Sequence, residues 1–160
     1  MQREITGFFQ DEEGHWVALL DCGHRQHVRH RPPFELREWT QTEEGRQSML
    51  GQTLECVRCD AMEWPEGFVS YKKTPVFTEE TIPKGILANH TTRKGVWGLV
   101  HVLEGSLRYI LEHNGEETLV TPEKPGIIVA EMRHRVEPGD SVQFCVEFFR
   151  KDEKHADGEQ

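Results

Sequence analysis

The chain has 160 residues, 36% of them hydrophobic and 29% charged, which is enough for one or two small domains with packed cores. Its 28 acidic residues outnumber its 19 lysines and arginines, so the formal net charge is −9 at pH 7. This balance disfavours binding of nucleic acid or of an anionic membrane by the whole surface. The chain has no run of about 18 apolar residues and no apolar stretch of a secretion signal near Met1, so we expect a cytoplasmic protein without a membrane partner.

Two short apolar runs open the chain, at 5–9 and 15–20, on either side of an acidic loop that contains Gly14. This arrangement predicts a β-hairpin. Further on, Thr40 and Glu43 have the spacing of a capping box with Thr40 as the N-cap, so we expect a short helix over 41–50.

Four potential metal ligands follow the predicted hairpin and the predicted helix. Cys22 and His24 form one pair, and Cys56 and Cys59 form a C-x2-C pair. Cysteine pairs of this spacing, in a chain without a secretion signal, are typical of a tetrahedral structural zinc site. His27 and His30 are alternatives to His24 as the fourth ligand, but the C-G-H…C-x2-C spacing, which resembles the second metal site of RING-type fingers, favours His24.

A local cationic stretch over 27–31 lies beside the predicted zinc site. One hypothesis is that this stretch, together with Trp39, contacts a partner protein or an anion. The other is that it is a solvated face beside the metal. Either way, we predict a zinc-stapled α+β module over 1–62, followed by a linker at 63–67, because a core of this size benefits from a metal staple.

The remainder of the chain is rich in short strand-like runs. They are rich in β-branched and aromatic residues, separated by Gly, Pro or Asn, and lie at 68–71, 85–87, 96–103, 107–111, 117–120, 126–129 and 142–149. Asn114-Gly115 between two of them predicts a hairpin turn. We therefore predict a mainly β protein whose second domain, over 68–150, is an antiparallel sandwich or small barrel, with a frayed tail over 151–160.

The second half also resembles a known family. The matching segments are 71–77, 80–83, 90–98, 102–109, 125–128, 134–138 and 146–149. They are similar to the small cupin-like domain found at the N-terminus of some tellurite-resistance TehB-type proteins. The segment over 3–62, with its C-G-H-x-Q-H-x-R-H-x-P-P pattern, resembles an uncharacterised bacterial domain that accompanies it.

The cupin resemblance implies a pocket built from two histidine motifs. His90 and His134 match metal-ligand positions of that family, whereas the positions of a second His and of the Glu are occupied by other residues. Glu131 and His101 are alternative candidates for a third ligand, and Trp97 and Arg108 are candidate pocket residues. Three hypotheses stay open for this pocket: a second divalent metal, a metal-free site for a small polar or anionic ligand, and histidines that only satisfy internal hydrogen bonds.

These observations lead to three functional hypotheses. The first is a tellurite-resistance-related stress protein that combines the zinc module with a cupin-like module that binds a small molecule or an oxyanion. The second is a metal-dependent cupin enzyme of the oxygenase or isomerase type. The third is a protein-interaction module, for which pairing of exposed sheet edges in a homodimer provides a scaffold.

Overall fold

The computed structural model of the protein describes residues 1–153. Over these residues the chain forms two compact units. The first comprises Met1–Gly67 together with residues 152 and 153, and the second comprises Phe68–Lys151. No helix in 1–153 has the length and apolar content that a membrane crossing requires.

The first unit is built on a four-stranded antiparallel sheet. Its strands are β1 (Gln2–Gln10), β2 (Trp16–Leu20), β3 (Arg25–His27) and β4 (Thr53–Glu55). They lie in the order β3-β2-β1-β4. The predicted hairpin is confirmed, because β1 pairs with β2 over Ile5↔Leu20 to Gln10↔Trp16. Ile5, Val17 and Ala18 are at most 3% exposed and belong to the apolar core of this unit.

Three short helical segments complete the first unit. They are a 3₁₀ turn over Glu38–Gln41, α1 (Glu43–Ser48) and α2 (Val57–Asp60). The predicted helix exists, but the predicted cap was wrong by two residues: Thr42 is the N-cap, and its Oγ1 accepts a hydrogen bond from Gly45 N at 3.0 Å. Thr40 instead lies buried in the 3₁₀ turn and donates from Oγ1 to Arg37 O, so its hydroxyl cannot serve a following helix.

The second unit is a curved antiparallel sheet that forms a half-barrel. Its strands are β5 (Phe68–Lys73), β6 (Phe77–Thr78), β7 (Trp97–Leu111), β8 (Glu117–Val120), β9 (Gly126–Ile128) and β10 (His134–Lys151), with the helix α3 (Lys84–Leu87) between β6 and β7. The order is β5-β10-β7-β8, while β6 pairs with β10 and β9 pairs with β7. The mainly β class with antiparallel sheets is therefore confirmed.

The two longest strands, β7 and β10, form the centre of this sheet. They pair from His134↔Leu111 to Phe149↔Trp97, with irregularities between Pro138 and Val142 and between Gln143 and Phe144. The runs at 96–103 and 107–111, predicted as separate strands, are thus one strand. Gly105 lies at the irregularity with a φ of 82°, and a Cβ there would lie 1.9 Å from Ser141 O.

Two further predictions for this unit have opposite outcomes. The hairpin around Asn114-Gly115 is confirmed, since β7 pairs with β8 and Gly115 has a φ of 70°. The strand over 85–87 was wrong, because these residues belong to α3, where Pro83 precedes the first turn. The tail predicted over 151–160 begins with the last residue of β10, and its positions 154–160 lie outside the described residues.

Candidate functional site

The first candidate site is a buried group of four side chains in the first unit. Cys22, His24, Cys56 and Cys59 each offer a ligand atom within 4.8 Å of the others, and all four are buried. A tight turn after β2 presents the first pair: Gly23 has a φ of 90°, and Leu20 N donates to His24 O at 3.0 Å. The second pair is presented by α2, of which Cys56 is the N-cap.

The distances within this group fit a tetrahedral zinc ion. His24 Nδ1 lies 3.5, 3.3 and 3.5 Å from the Sγ atoms of Cys22, Cys56 and Cys59 respectively. The Sγ atoms of Cys22 and Cys56 are 3.9 Å apart. With Zn–S of about 2.3 Å and Zn–N of about 2.0 Å, a tetrahedron separates neighbouring N and S atoms by about 3.5 Å and two S atoms by about 3.8 Å. The group can therefore hold a metal such as zinc.

His24 is oriented for coordination through Nδ1. Its Nε2 lies 2.7 Å from Glu63 O, so a proton on Nε2 donates to that carbonyl and leaves the Nδ1 lone pair directed at the cysteines. Without a metal, burial lowers the pKa of His24, but hydrogen bonds with Cys56 and Cys59 outweigh it and raise the pKa to about 10, so that a bound zinc ion would displace the proton from Nδ1. Hydrogen bonds within the group also lower the pKa of Cys56 and raise that of Cys22.

An arginine that the sequence analysis missed lies against this group. Arg3 is only 2% exposed, and its Nε donates to Cys59 Sγ at 3.4 Å. Burial lowers the pKa of Arg3, but the hydrogen bond and charge of Cys59 raise it overall, so the guanidinium is charged. Three thiolates and one neutral histidine around a zinc ion carry a net charge of −1, which Arg3 offsets. The pairing of β1 with β4 places Arg3 opposite Leu54, two residues before Cys56.

The alternative ligands and the cationic stretch have other contacts. His27 Nε2 lies 2.9 Å from Asp11 Oδ2, and His30 Nδ1 accepts a hydrogen bond from Arg37 N at 3.0 Å. Neither histidine belongs to the buried group. Trp39, proposed as a partner contact, packs its ring against Phe8 with the ring centroids 5.7 Å apart.

The second candidate site is a cavity of about 370 Å³ in the second unit. Val100, Val136 and Phe144 form part of its inner wall and are at most 3% exposed. Thr74, Thr92 and the exposed Lys72 and Arg93 form part of its rim. None of the sixteen residues that line it in the described part of the chain is acidic, although the protein as a whole has a net charge of −9.

His90 and His134 meet at the wall of this cavity. Their backbones form an isolated antiparallel bridge, and their ring centroids are 4.2 Å apart. His134 is 1% exposed, and its Nδ1 lies 2.9 Å from Met132 O. Burial, and to a lesser degree the nearby His90, lower the pKa of His134 to about 4. The ring is therefore neutral at physiological pH, with its proton on Nδ1 and a lone pair on Nε2.

The structure places the other predicted pocket residues elsewhere. Trp97 is 0% exposed, in the core. Arg108 is exposed and pairs with Glu117 at 2.5 Å and Glu137 at 2.7 Å. Glu131 is exposed in a turn with a φ of 60°, and its backbone N donates to Thr92 Oγ1.

None of these three lines the cavity. Among the described residues, no His, Cys, Asp or Glu joins His90 and His134 to make a group of three metal ligands.

The basic rim was missed by the sequence analysis. Lys72 belongs to β5 and Arg93 to the loop before β7, and nothing in their local sequence distinguishes them from solvated cations. The pairing of β5 with β10 brings Lys72 to the rim.

Each of the two units matches a known family model. Residues 6–63 match a family model described as a protein of unknown function, DUF3565. Residues 72–146 match the model of the TehB-like domain. The second unit is thus similar to the TehB-like domain, and the first to a family without a stated function.

Two curated proteins, from two strains of Haemophilus influenzae, are similar to this chain. Each is named a probable S-adenosyl-L-methionine-dependent methyltransferase TehB. They are 33% and 32% identical to this chain over an alignment of 93 positions, which covers 54% of this chain. The chain spans only 32% of the length of each relative.

Two solved structures are similar to the chain. The crystal structure of TehB from Haemophilus influenzae has a TM-score of 0.49 at 32% identity, covering 54% of this chain and 32% of that one. A crystal structure of a protein from Escherichia coli K12 has a TM-score of 0.52 at 26% identity, covering 57% of this chain and 98% of that one. The match covers almost the whole Escherichia coli chain, so a fold similar to this part of our chain also makes up nearly all of another protein.

Proposed function

We propose that this is a tellurite-resistance-related binding protein, in which a structural zinc ion stabilises the first unit and a cupin-like second unit binds a small ligand or oxyanion. The observation that carries the proposal is the cavity of about 370 Å³ with a basic rim and no acidic side chain among its described lining residues. The link to tellurite rests on the relationship of residues 72–146 to the TehB-like domain. The methyltransferase activity in the relatives' names is not transferred, because the chain covers only 32% of their length.

The cavity favours a negatively charged ligand. Lys72 and Arg93 line it from exposed positions, where side chains can adjust to a ligand. The hydroxyls of Thr74 and Thr92 already donate to Pro75 O and Val96 O, so the two cations are the groups that would bind the anion. An acidic group on the wall would repel an anion, and none is present among the lining residues described. A concave site with apolar walls and a few convergent polar groups is the usual form of a small-molecule site.

Zinc has a structural role in this proposal. All four ligands come from the protein, which leaves no coordination position for a substrate. The first unit has a small apolar core of the kind that a metal commonly stabilises.

The ligand-binding part is tested by calorimetric titration of the intact protein with selenite, tellurite and a panel of small carboxylic acids. We expect at least one anion to bind, and to bind less tightly to the double variant Lys72→Ala/Arg93→Ala. Lys124→Ala is the matched control, because Lys124 is an exposed cation of the same unit that does not line the cavity. If no anion binds, or if Lys72→Ala/Arg93→Ala binds the anion as tightly as Lys124→Ala does, the proposal is refuted.

The metal part is tested by elemental analysis of the purified protein. We expect one zinc per chain, lost in Cys56→Ser and retained in Cys145→Ala, since Cys145 is buried in β10 and is not part of the group of four. A second metal that disappears on His90→Ala would instead favour the metal-dependent enzyme.

A further inference from the structure

The shape and chemistry of the cavity narrow the class of its ligand, on the assumption that the proposed binding function is correct. We infer that the second unit binds a small carboxylic acid with an apolar body, carboxylate at the rim and body inside, in preference to a compact oxyanion. Three features of the cavity carry this inference: its apolar inner wall, its size, and the uncharged histidine on that wall.

The inner wall is almost entirely apolar. Val100, Phe144, Val146 and Ile128 line it, and each is at most 6% exposed. A hydrated oxyanion such as tellurite or selenite gains nothing from contact with aliphatic and aromatic carbon, and it loses hydration free energy on entering such a wall. An apolar group gains about 25 cal/mol for each Å² of its surface that leaves water there.

The size of the cavity fits an organic molecule. Its volume is about 370 Å³. An apolar protein cavity of about 150 Å³ accommodates one benzene molecule. The cavity therefore has room for a ring or a branched chain together with a connecting group and a carboxylate, and a three-oxygen anion would leave most of it unfilled.

The two ends of the cavity differ in charge, which orients the ligand. His134 lines the inner wall as a neutral ring, because its Nδ1 proton is directed at Met132 O at 2.9 Å and burial lowers its pKa to about 4. Its remaining Nε2 is a hydrogen-bond acceptor and does not attract an anion. The cations, Lys72 and Arg93, are at the exposed rim. The carboxylate therefore faces outward and the apolar body faces Phe144.

The test compares four probes on the intact protein by calorimetric titration at low salt. They are 3-phenylpropionate, its neutral analogue 3-phenylpropanamide, acetate, and selenite. We expect 3-phenylpropionate to bind about tenfold or more tightly than either the amide or acetate, since each of these lacks one of the two features recognised. In Lys72→Ala/Arg93→Ala the affinity for 3-phenylpropionate should fall roughly fivefold, and in Lys124→Ala it should not change.

A second measurement locates the ligand independently of the variants. Ring-current shifts of the methyl resonances of Val100, Ile128 and Val146 should appear on addition of 3-phenylpropionate, because its ring would lie against them. If selenite binds more tightly than every organic acid, the inference is overturned and the proposed binding function stands. If the amide binds as well as the acid, or if the methyl resonances do not move, the inference fails. If no probe binds, the inference fails, and the proposed function fails as well only if tellurite and the other anions of the wider panel do not bind either.

Discussion

Acidification should destabilise the second unit through His134. The ring is 1% exposed, it contacts the rings of His90 and Tyr109 with centroid separations of 4.2 and 4.9 Å, and its pKa is about 4 against an ordinary value of 6.5. Between these two pKa values the unfolded chain binds a proton at this position and the folded chain does not. The contribution of His134 to stability is therefore constant above about pH 6.5 and falls as the pH is lowered toward 4.

The magnitude follows from the size of this pKa difference. One pKa unit corresponds to about 1.4 kcal/mol, so the full difference is about 3 kcal/mol. At pH 4.5 most of it is already lost, and the contribution of His134 to the free energy of unfolding should be about 2.5 kcal/mol smaller than at pH 7. Because the ring is almost completely buried, solvent screening does not reduce this figure appreciably.

The assay must separate His134 from other groups and the second unit from the first. The imidazole resonance of His134 in the folded protein gives its native pKa directly. Hydrogen exchange of the amides shared by β7 and β10 gives the free energy of opening of the second unit alone. His134→Asn removes the titration while retaining an N–H for Met132 O, and His113→Asn, in the exposed turn after β7, is the matched control.

We expect wild type and His113→Asn to lose about 2.5 kcal/mol more than His134→Asn between pH 7 and pH 4.5. His134→Asn will be less stable than wild type at pH 7 because its smaller side chain packs less well, so only the change with pH is compared. A native His134 that titrates near pH 6.5, or equal acid sensitivity in all three proteins, would refute the reasoning.

Three further substitutions test features of the two units. Arg3→Met should lower the zinc affinity by about tenfold in competition with a chromophoric chelator, while Arg3→Lys retains the charge and should lose less; unchanged affinity in Arg3→Met would show that the contact with Cys59 does not matter. Gly105→Ala should destabilise the second unit by more than about 2 kcal/mol in chemical denaturation, because a φ of 82° and a clash with Ser141 O act together. Gly115 also has a positive φ, of 70°, but a Cβ there would meet open space, so Gly115→Ala should cost about 1 kcal/mol. Equal losses of stability in the two variants would contradict the clash at Gly105. Thr42→Ala should cost the first unit about 1 kcal/mol, and Thr42→Ser should cost little because the cap remains; equal losses would argue against the cap.

The sequence predicted the features that depend on neighbours in the chain. Residue types and short spacings are sufficient to pair Cys22 with His24 and Cys56 with Cys59, because a turn and one helical turn orient each pair. The Asn114-Gly115 turn was predicted for the same reason. The helix cap was misplaced because Thr40 and Thr42 are both acceptable caps in sequence, and only the tertiary burial of Thr40 decides between them.

The cavity could not be predicted to the same degree. His90 and His134 were selected through a family resemblance, and the structure brings their rings together. Arg108 was selected as a potential anion ligand, yet its position on β7 turns it toward Glu117 and Glu137. The residues that supply the rim cations, Lys72 and Arg93, are more than twenty positions apart and reach one cavity only through strand pairing, which has no signature in either local sequence.

The irregular pairing between β7 and β10 limits how this sheet can vary in length. From Pro138 to Val142, β10 advances four residues while β7 advances only two, from Leu107 to Gly105. Between Gln143 and Phe144 the imbalance is reversed, since β10 advances one residue while β7 advances two, from Glu104 to Val102. With both irregularities in place, Val136 and Phe144 line one cavity. Adding or removing one residue at 139–141 would turn Phe144 to the opposite face, whereas adding two would not. We therefore expect insertions or deletions of an even number of residues at 139–141 to be tolerated better than those of an odd number, whatever their size.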